Sequence, residues 1–309
     1  MSNHAFARRA GGGTVPRMQA RPLGATGLTV SELGLGAGPL GDSNLDDAAA
    51  EHLVREAVEL GITLIDTAPS YGRSEVRIGA ALRGLRSRVV LSTKLGYGVP
   101  GIPDWTGPCI TAGIDAALAR LDTTWLDLAH LHSCPRDVLE RGDVIDALEA
   151  AVRAGKVRVP AYSGDGDALA WAIDSGRFGV VQCSVSLADQ RALDAAVPRA
   201  AERGIGVLAK RALANAAWRD ATRPAAPDRA AYWDRLRTMQ QPPPGADPTD
   251  LALRFALAQP VSSLLVGTTD LAHLRAAIAS ASRGPLDAAA LHEARDAFRR
   301  HDRGWDGII

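Results

Sequence analysis

Four side chains in this sequence, Asp66, Tyr71, Lys94 and His132, have the types and spacing to move a proton onto or off an oxygen. A phenol, with an ordinary pKa of about 10, is a poor acid–base group at neutral pH. A neighbouring ammonium favours the phenolate. A carboxylate can hold that ammonium in place, and an imidazole can orient a carbonyl or share the proton. Each residue alone has a plainer explanation. A carboxylate after a strand often caps a turn, and a lone Lys or His at a strand end is usually solvated or structural. What sets these four apart is their placement. Asp66 ends the apolar, β-branched run Ile62–Ile65, and Tyr71 sits in the turn that follows, between Pro69 and Gly72. Lys94 ends the run starting at Val89, and His132 ends the run starting at Leu126. Neighbouring parallel strands bring their C-terminal ends to one mouth, where the four groups would face one another.

The elements that must position them show a repeated joint. A helical pattern ends, a glycine follows, and a strand begins, at Gly61, Gly155, Gly176 and Gly204. Glycine just past a helix accepts positive φ without strain. Strands are expected at 33–37, 63–66, 89–93, 126–131, 157–161, 180–183, 206–209 and 263–266. Helices are expected at 46–60, 74–83, 111–121, 143–154, 168–175, 193–203, 250–258, 271–280 and 287–300. Eight unbroken strand–helix alternations predict a closed (β/α)8 TIM barrel. Two short apolar pieces around Gly24–Gly27 predict an N-terminal β-hairpin. Residues 20–309 read as one barrel domain and 1–19 as a disordered tail. Pro224–Pro248 reads as a long irregular insertion after the seventh strand, on the catalytic face, where lids are often built.

One motif points elsewhere. Gly36-Ala-Gly-Pro-Leu-Gly41 fits the G-x-G-x-x-G of a dinucleotide-binding Rossmann unit. In that unit the third glycine lies inside the first helical turn. Here Pro39 interrupts the loop and the helical pattern starts only near Asp46. These glycines are better read as letting the first barrel strand and its loop approach a ligand.

Lys plus Arg equals Asp plus Glu at 35 each, so the formal net charge is zero. That argues against a general nucleic-acid or anionic-membrane role, which needs a basic surface. No apolar run has the length of a membrane span. Arg8 and Arg9 are followed by glycines, not by the apolar segment of an export signal. The three cysteines (Cys109, Cys134, Cys183) are far apart and show no metal spacing, which suits a reduced cytoplasmic protein.

The sequence resembles the aldo-keto reductases from about Arg21 onward. The resemblance is carried by Leu60–Gly72, Ser92-Thr-Lys94, Asp127–His132, Lys156-Val-Arg158 and Leu265-Val-Gly-Thr268. It implies a (β/α)8 barrel whose base is closed by the hairpin, NADPH as cofactor with NADH possible, and a catalytic tetrad of Asp66, Tyr71, Lys94 and His132. His130 would then be a satisfied barrel histidine. The resemblance further implies cofactor contacts from Gly36, Asp66, Ser163, Gly164, Gln182, Lys210, Arg211, Leu213, Gly267, Thr268 and His273. Some of these depart from the family pattern. Gly164 stands where the family has an asparagine that holds the nicotinamide amide. Lys210 stands where many members stack an aromatic, and Lys210 and Arg211 are candidates for phosphate contacts. Asp270 would repel a 2′-phosphate lying close to it. Pro160 predicts a local distortion of its strand. Trp105 is a candidate wall of the substrate pocket, and Trp218, Trp305, Ile308 and Ile309 are weaker ones. The implied activity is reduction of an aldehyde or ketone, or oxidation of an alcohol, with a small molecule as the partner. The alternative is a cofactor-binding regulatory or accessory barrel with little turnover.

Overall fold

A computed structural model describes residues 18–308. The tail expected at 1–19 therefore lies almost wholly outside the described residues. A two-stranded antiparallel hairpin, β1 (Ala20–Pro22) and β2 (Thr29–Ser31), comes first. Eight parallel strands follow and close into a barrel in chain order. They are β3 (Leu33–Gly36), β4 (Leu64–Asp66), β5 (Val90–Leu95), β6 (Leu126–His132), β7 (Val157–Ser163), β8 (Val180–Ser184), β9 (Gly206–Lys210) and β10 (Ser263–Val266). β10 pairs with both β9 and β3, which leaves no open edge and excludes the Rossmann reading of Gly36–Gly41. The joint glycines Gly61, Gly155, Gly176 and Gly204 all take positive φ, between 67° and 93°. A side chain at those positions would be strained.

The period of two along each strand fixes what faces the barrel axis. Leu64, Val90, Leu128, Ala161, Val180 and Leu208 form an inner apolar cluster, closed from below by Leu23, Leu28 and Val30 of the hairpin segment. The hairpin can press that close because Gly24 and Gly206 meet backbone to backbone, where a Cβ on Gly24 would come within 2.3 Å of Gly206 N. Each buried leucine in this cluster contributes about 2–3 kcal/mol. The same alternation puts Asp66, Lys94, His132, Ser163, Gln182 and Lys210 on the inner face, two or four residues beyond those core positions and so nearer the mouth. Outward-facing residues pack under the helices in a second apolar cluster.

Three expectations need correction. The segment 224–248 is not irregular throughout, since Pro227–Thr238 is a helix. Its buried face carries Ala230, Tyr232, Arg235 and Leu236, so no plain apolar stripe marks it in the sequence. Arg235 is satisfied by the carbonyls of Ala188 (3.2 Å) and Asp306 (2.7 Å). The distortion expected at Pro160 is also absent. β7 runs through it in register with Ala129, and its carbonyl accepts from Gly179 N at 3.0 Å. β8 pairs with β7 only from Ala161 onward, so the missing N–H falls ahead of that ladder. Finally, the helix expected from 111 starts earlier, at Gly107, capped by the Thr106 hydroxyl.

Candidate active site

Asp66 and His132 end β4 and β6 and Lys94 is the last residue but one of β5 between them, and the structure brings the three together at the mouth with Tyr71. Lys94 is only 1% exposed. Its Nζ lies 2.6 Å from Asp66 Oδ2 and donates to the Thr67 carbonyl at 2.9 Å. Ser92 donates to the other Asp66 oxygen at 2.7 Å. Burial works against both charges, but each offsets the other's penalty. Lys94, with help from His130 and Ser92, holds the Asp66 carboxyl below its ordinary range. Asp66, and then Tyr71, hold the Lys94 ammonium above its own. Nζ stands 5.0 Å from the centroid of the Tyr71 ring.

The loop that presents Tyr71 is tied down on every side. Ser74 N donates to the Tyr71 carbonyl (2.9 Å), and the Ser74 hydroxyl donates to Ala37 O (2.8 Å). Gly41, the last glycine of the G-x-G-x-x-G, backs directly onto this loop. A Cβ there would meet Tyr71 O at 1.9 Å. Arg77, buried in the following helix, donates to the carbonyls of Leu40 (2.6 Å) and Asp42 (2.8 Å) and pins the facing loop.

The His132 ring lies edge-on to Tyr71, with centroids 6.3 Å apart. Burial first, and then the Lys94 charge, push its pKa down to about 3, so the imidazole is neutral at pH 7. A residue absent from the sequence reading, Tyr97, stacks on its other side (5.6 Å, 26° between planes) with its hydroxyl 2.6 Å from His132 Nδ1. Trp105 stands behind Tyr97 at 5.7 Å and is not among the described residues lining the cavity. One layer below, His130 is fully buried, and burial pushes its pKa down to about 4. Neither of its ring nitrogens has a hydrogen-bond partner among the described residues, so it is not the satisfied histidine expected.

The cavity above these groups measures about 400 Å³. Gly36, Asp66, Tyr71, His132, Ser163, Gln182, Lys210, Arg211, Leu213 and Gly267 line it. Ser163 Oγ donates to Gln182 Oε1 at 2.8 Å, while Gln182 Nε2, buried, has no partner among the described residues. An unmet donor at the floor of a polar cavity suits a ligand carbonyl oxygen. Gly164 has a local cause. A Cβ there would fall 2.3 Å from the hydroxyl of Tyr162, which is buried and donates to the Cys134 carbonyl at 3.2 Å. Lys210 points inward and pairs with Asp165 (3.0 Å), and Arg211 pairs with Asp228 (3.1 Å) at the start of the 227–238 helix. Asn215 reaches the same carboxylate at 2.9 Å, so this helix is fastened to the rim of the mouth.

A second cavity of about 320 Å³ continues past Leu213, Ala216 and Gly267. Thr268 and His273 line it, as do Arg219 and Arg283, which the sequence reading missed. Asp270 is not among its lining residues, and its carboxylate accepts from Ala272 N (2.7 Å) as the cap of the helix Leu271–Ala281. Trp218 lines this cavity, whereas Trp305 packs on Phe298 at 5.6 Å, away from the mouth. Ile308 N donates to Asp189 at 3.2 Å, and Ile309 lies outside the described residues. The missed residues Tyr97 and Asp165 follow strand-end site residues by two or three positions, and that proximity was the available signal.

Fold and mouth together define a class, closed (β/α)8 barrels with a site at the C-terminal ends of the strands. The family follows from comparison with known proteins: residues 32–297 match the model of the aldo/keto reductase family, and the chain belongs to that family. It is 31% identical over 286 residues to L-galactose dehydrogenase of Arabidopsis thaliana, covering 85% of this chain and 88% of that protein. It is 30% identical over 214 residues to the NADH-specific methylglyoxal reductase of Escherichia coli, covering 62% of this chain and 66% of that protein. Among solved structures, the holo form of aldo-keto reductase AKR11C1 from Bacillus halodurans superposes with a TM-score of 0.80 at 26% identity, covering 91% of this chain and 96% of that one. Among the described residues, no helix is long and apolar enough to cross a membrane.

Proposed function

We propose that this protein reduces an aldehyde or ketone, or oxidises the corresponding alcohol, with Tyr71 as general acid or base and NADPH as cofactor. The observation that supports this reading best is the Lys94 ammonium, buried between Asp66 and Tyr71. A fixed positive charge beside a phenol favours the oxyanion over the phenol, which suits Tyr71 to the acid–base role. Asp66 keeps that charge in position, and His132, neutral, lines the cavity and would hold the substrate oxygen.

When bound, the nicotinamide supplies or accepts the hydride. The residues present fit such a group. Ser163 and the unmet Gln182 amide would hold its carboxamide. The 211–216 turn and the Gly267–Thr268 turn would hold the phosphates. Arg219, Arg283 and His273 line the second cavity and suit a 2′-phosphate, against the Asp247 carboxylate beside them and the pairing of Arg283 with Asp250.

Fluorescence titration with NADPH and NADH, then oxidation of NADPH against aldehydes and ketones, tests the reading. Tyr71→Phe should lower turnover by about a hundredfold or more and leave NADPH affinity nearly unchanged. A Tyr71→Phe variant that keeps the parent's turnover refutes the assignment. Tight NADPH binding with no turnover in the parent would instead support the accessory-barrel alternative.

A further inference from the structure

We propose that Tyr97 is a positioning residue that fixes the tautomer of His132, so that the proton sits on Nε2 and faces the substrate oxygen. This rests on the reductase reading above. Three observations carry it. The Tyr97 hydroxyl is 2.6 Å from His132 Nδ1, well inside hydrogen-bond range. The two rings are stacked at 5.6 Å with 26° between their planes, which fixes the imidazole's rotation as well as its protonation. Tyr97 is itself braced, with the Trp105 ring against it at 5.7 Å and the Ser70 hydroxyl 3.4 Å from its oxygen.

The direction of the hydrogen bond follows from the chemistry of the two groups. A neutral imidazole carries one N–H and one bare nitrogen lone pair. That lone pair is a stronger acceptor than a phenol oxygen, and a phenol O–H is a stronger donor than an imidazole N–H. The favoured arrangement is therefore Tyr97 O–H donating to Nδ1, with the His132 proton on Nε2. The opposite tautomer would turn a lone pair toward a carbonyl oxygen and repel it. The other neighbour of the Tyr97 hydroxyl, Ser70 Oγ, is an acceptor at 3.4 Å and competes only weakly for that proton with Nδ1 at 2.6 Å. Brace and histidine come from neighbouring elements: Tyr97 lies two residues beyond the end of β5, and His132 ends β6.

The loop that delivers Tyr97 is shaped for the task. Gly96 has φ of 133°, and a Cβ there would strike the Trp105 ring at 2.0 Å. Trp105 itself sits at φ 57° and donates its N–H to the Gly96 carbonyl at 2.7 Å. That is a costly backbone for a tryptophan, and it places the indole squarely behind Tyr97.

The test uses the full chain with ¹⁵N-labelled histidine, the His132 signals being assigned by their loss in His132→Gln. Tyr97→Phe keeps the ring and its stacking and removes only the hydroxyl. In the parent, at neutral pH and with no ligand, the His132 shifts should show a bare Nδ1 and a protonated Nε2. In Tyr97→Phe they should move toward a mixture of tautomers, and kcat should fall about tenfold with KM for NADPH unchanged, as expected for one lost hydrogen bond. A parent with the proton on Nδ1 overturns the inference, as does a Tyr97→Phe variant with unaltered shifts. The tautomer is read without substrate, so a failure of the reductase reading would leave this result standing, and the converse also holds.

Discussion

His130 makes a quantitative prediction about acid stability. Its imidazole is fully buried on the barrel axis with both nitrogens unpartnered among the described residues, and burial pushes its pKa from 6.5 to about 4. The unfolded chain takes up this proton below about pH 6.5, whereas the folded protein refuses it until about pH 4. Stability is therefore full above pH 6.5 and is lost as the pH falls between those values. The gap between 6.5 and about 4, at ~1.36 kcal/mol per pH unit, comes to roughly 3 kcal/mol. His132 adds a loss of the same sign. His130→Leu should remove one of the two histidine protons from the slope. Urea unfolding of parent and variant at several pH values between 7.5 and 4 measures this directly. Carboxylates titrate in both proteins, so the difference between the two curves isolates His130. At pH 7.5 the variant should be at least as stable, because two unmet polar atoms have left the interior. Parallel curves across the window would refute the reasoning.

Three further outcomes are expected. Lys94→Met leaves the Asp66 carboxylate buried without its partner, so thermal unfolding should show a loss of about 3–5 kcal/mol, alongside lost turnover. Gln182→Ala should weaken NADPH binding about tenfold, the worth of one good hydrogen bond, in a fluorescence titration, and should lower stability by about 1 kcal/mol, because the buried Ser163 hydroxyl loses its acceptor. Arg235→Ala strands the carbonyls of Ala188 and Asp306 and should cost about 2–3 kcal/mol in urea unfolding.

The barrel was legible because its signals are local and repeated. Short β-branched runs, each preceded by a glycine that must take positive φ, mark strands such as β4, β7 and β9 within a residue or two. The placement of Asp66, Lys94 and His132 was legible for the same reason, since a strand's period of two dictates which end residues face inward. The 227–238 helix was not, because its buried face depends on Arg235 finding carbonyls contributed by residues far away in the chain. Tyr97 was hidden because its position depends on a loop conformation, set by Gly96 and Trp105, that no periodicity encodes. The unmet nitrogens of His130 were invisible too: a sequence shows a donor or acceptor but not whether anything answers it.

The contact between Gly164 and the Tyr162 hydroxyl bears on how this sequence can have diverged. A chain with asparagine at 164 could not hold this tyrosine rotamer, so the two positions are coupled. Asparagine at 164 would require the buried tyrosine at 162 to shift or be replaced. Position 162 thus constrains position 164, although neither residue is among the described residues lining the cavity of about 400 Å³.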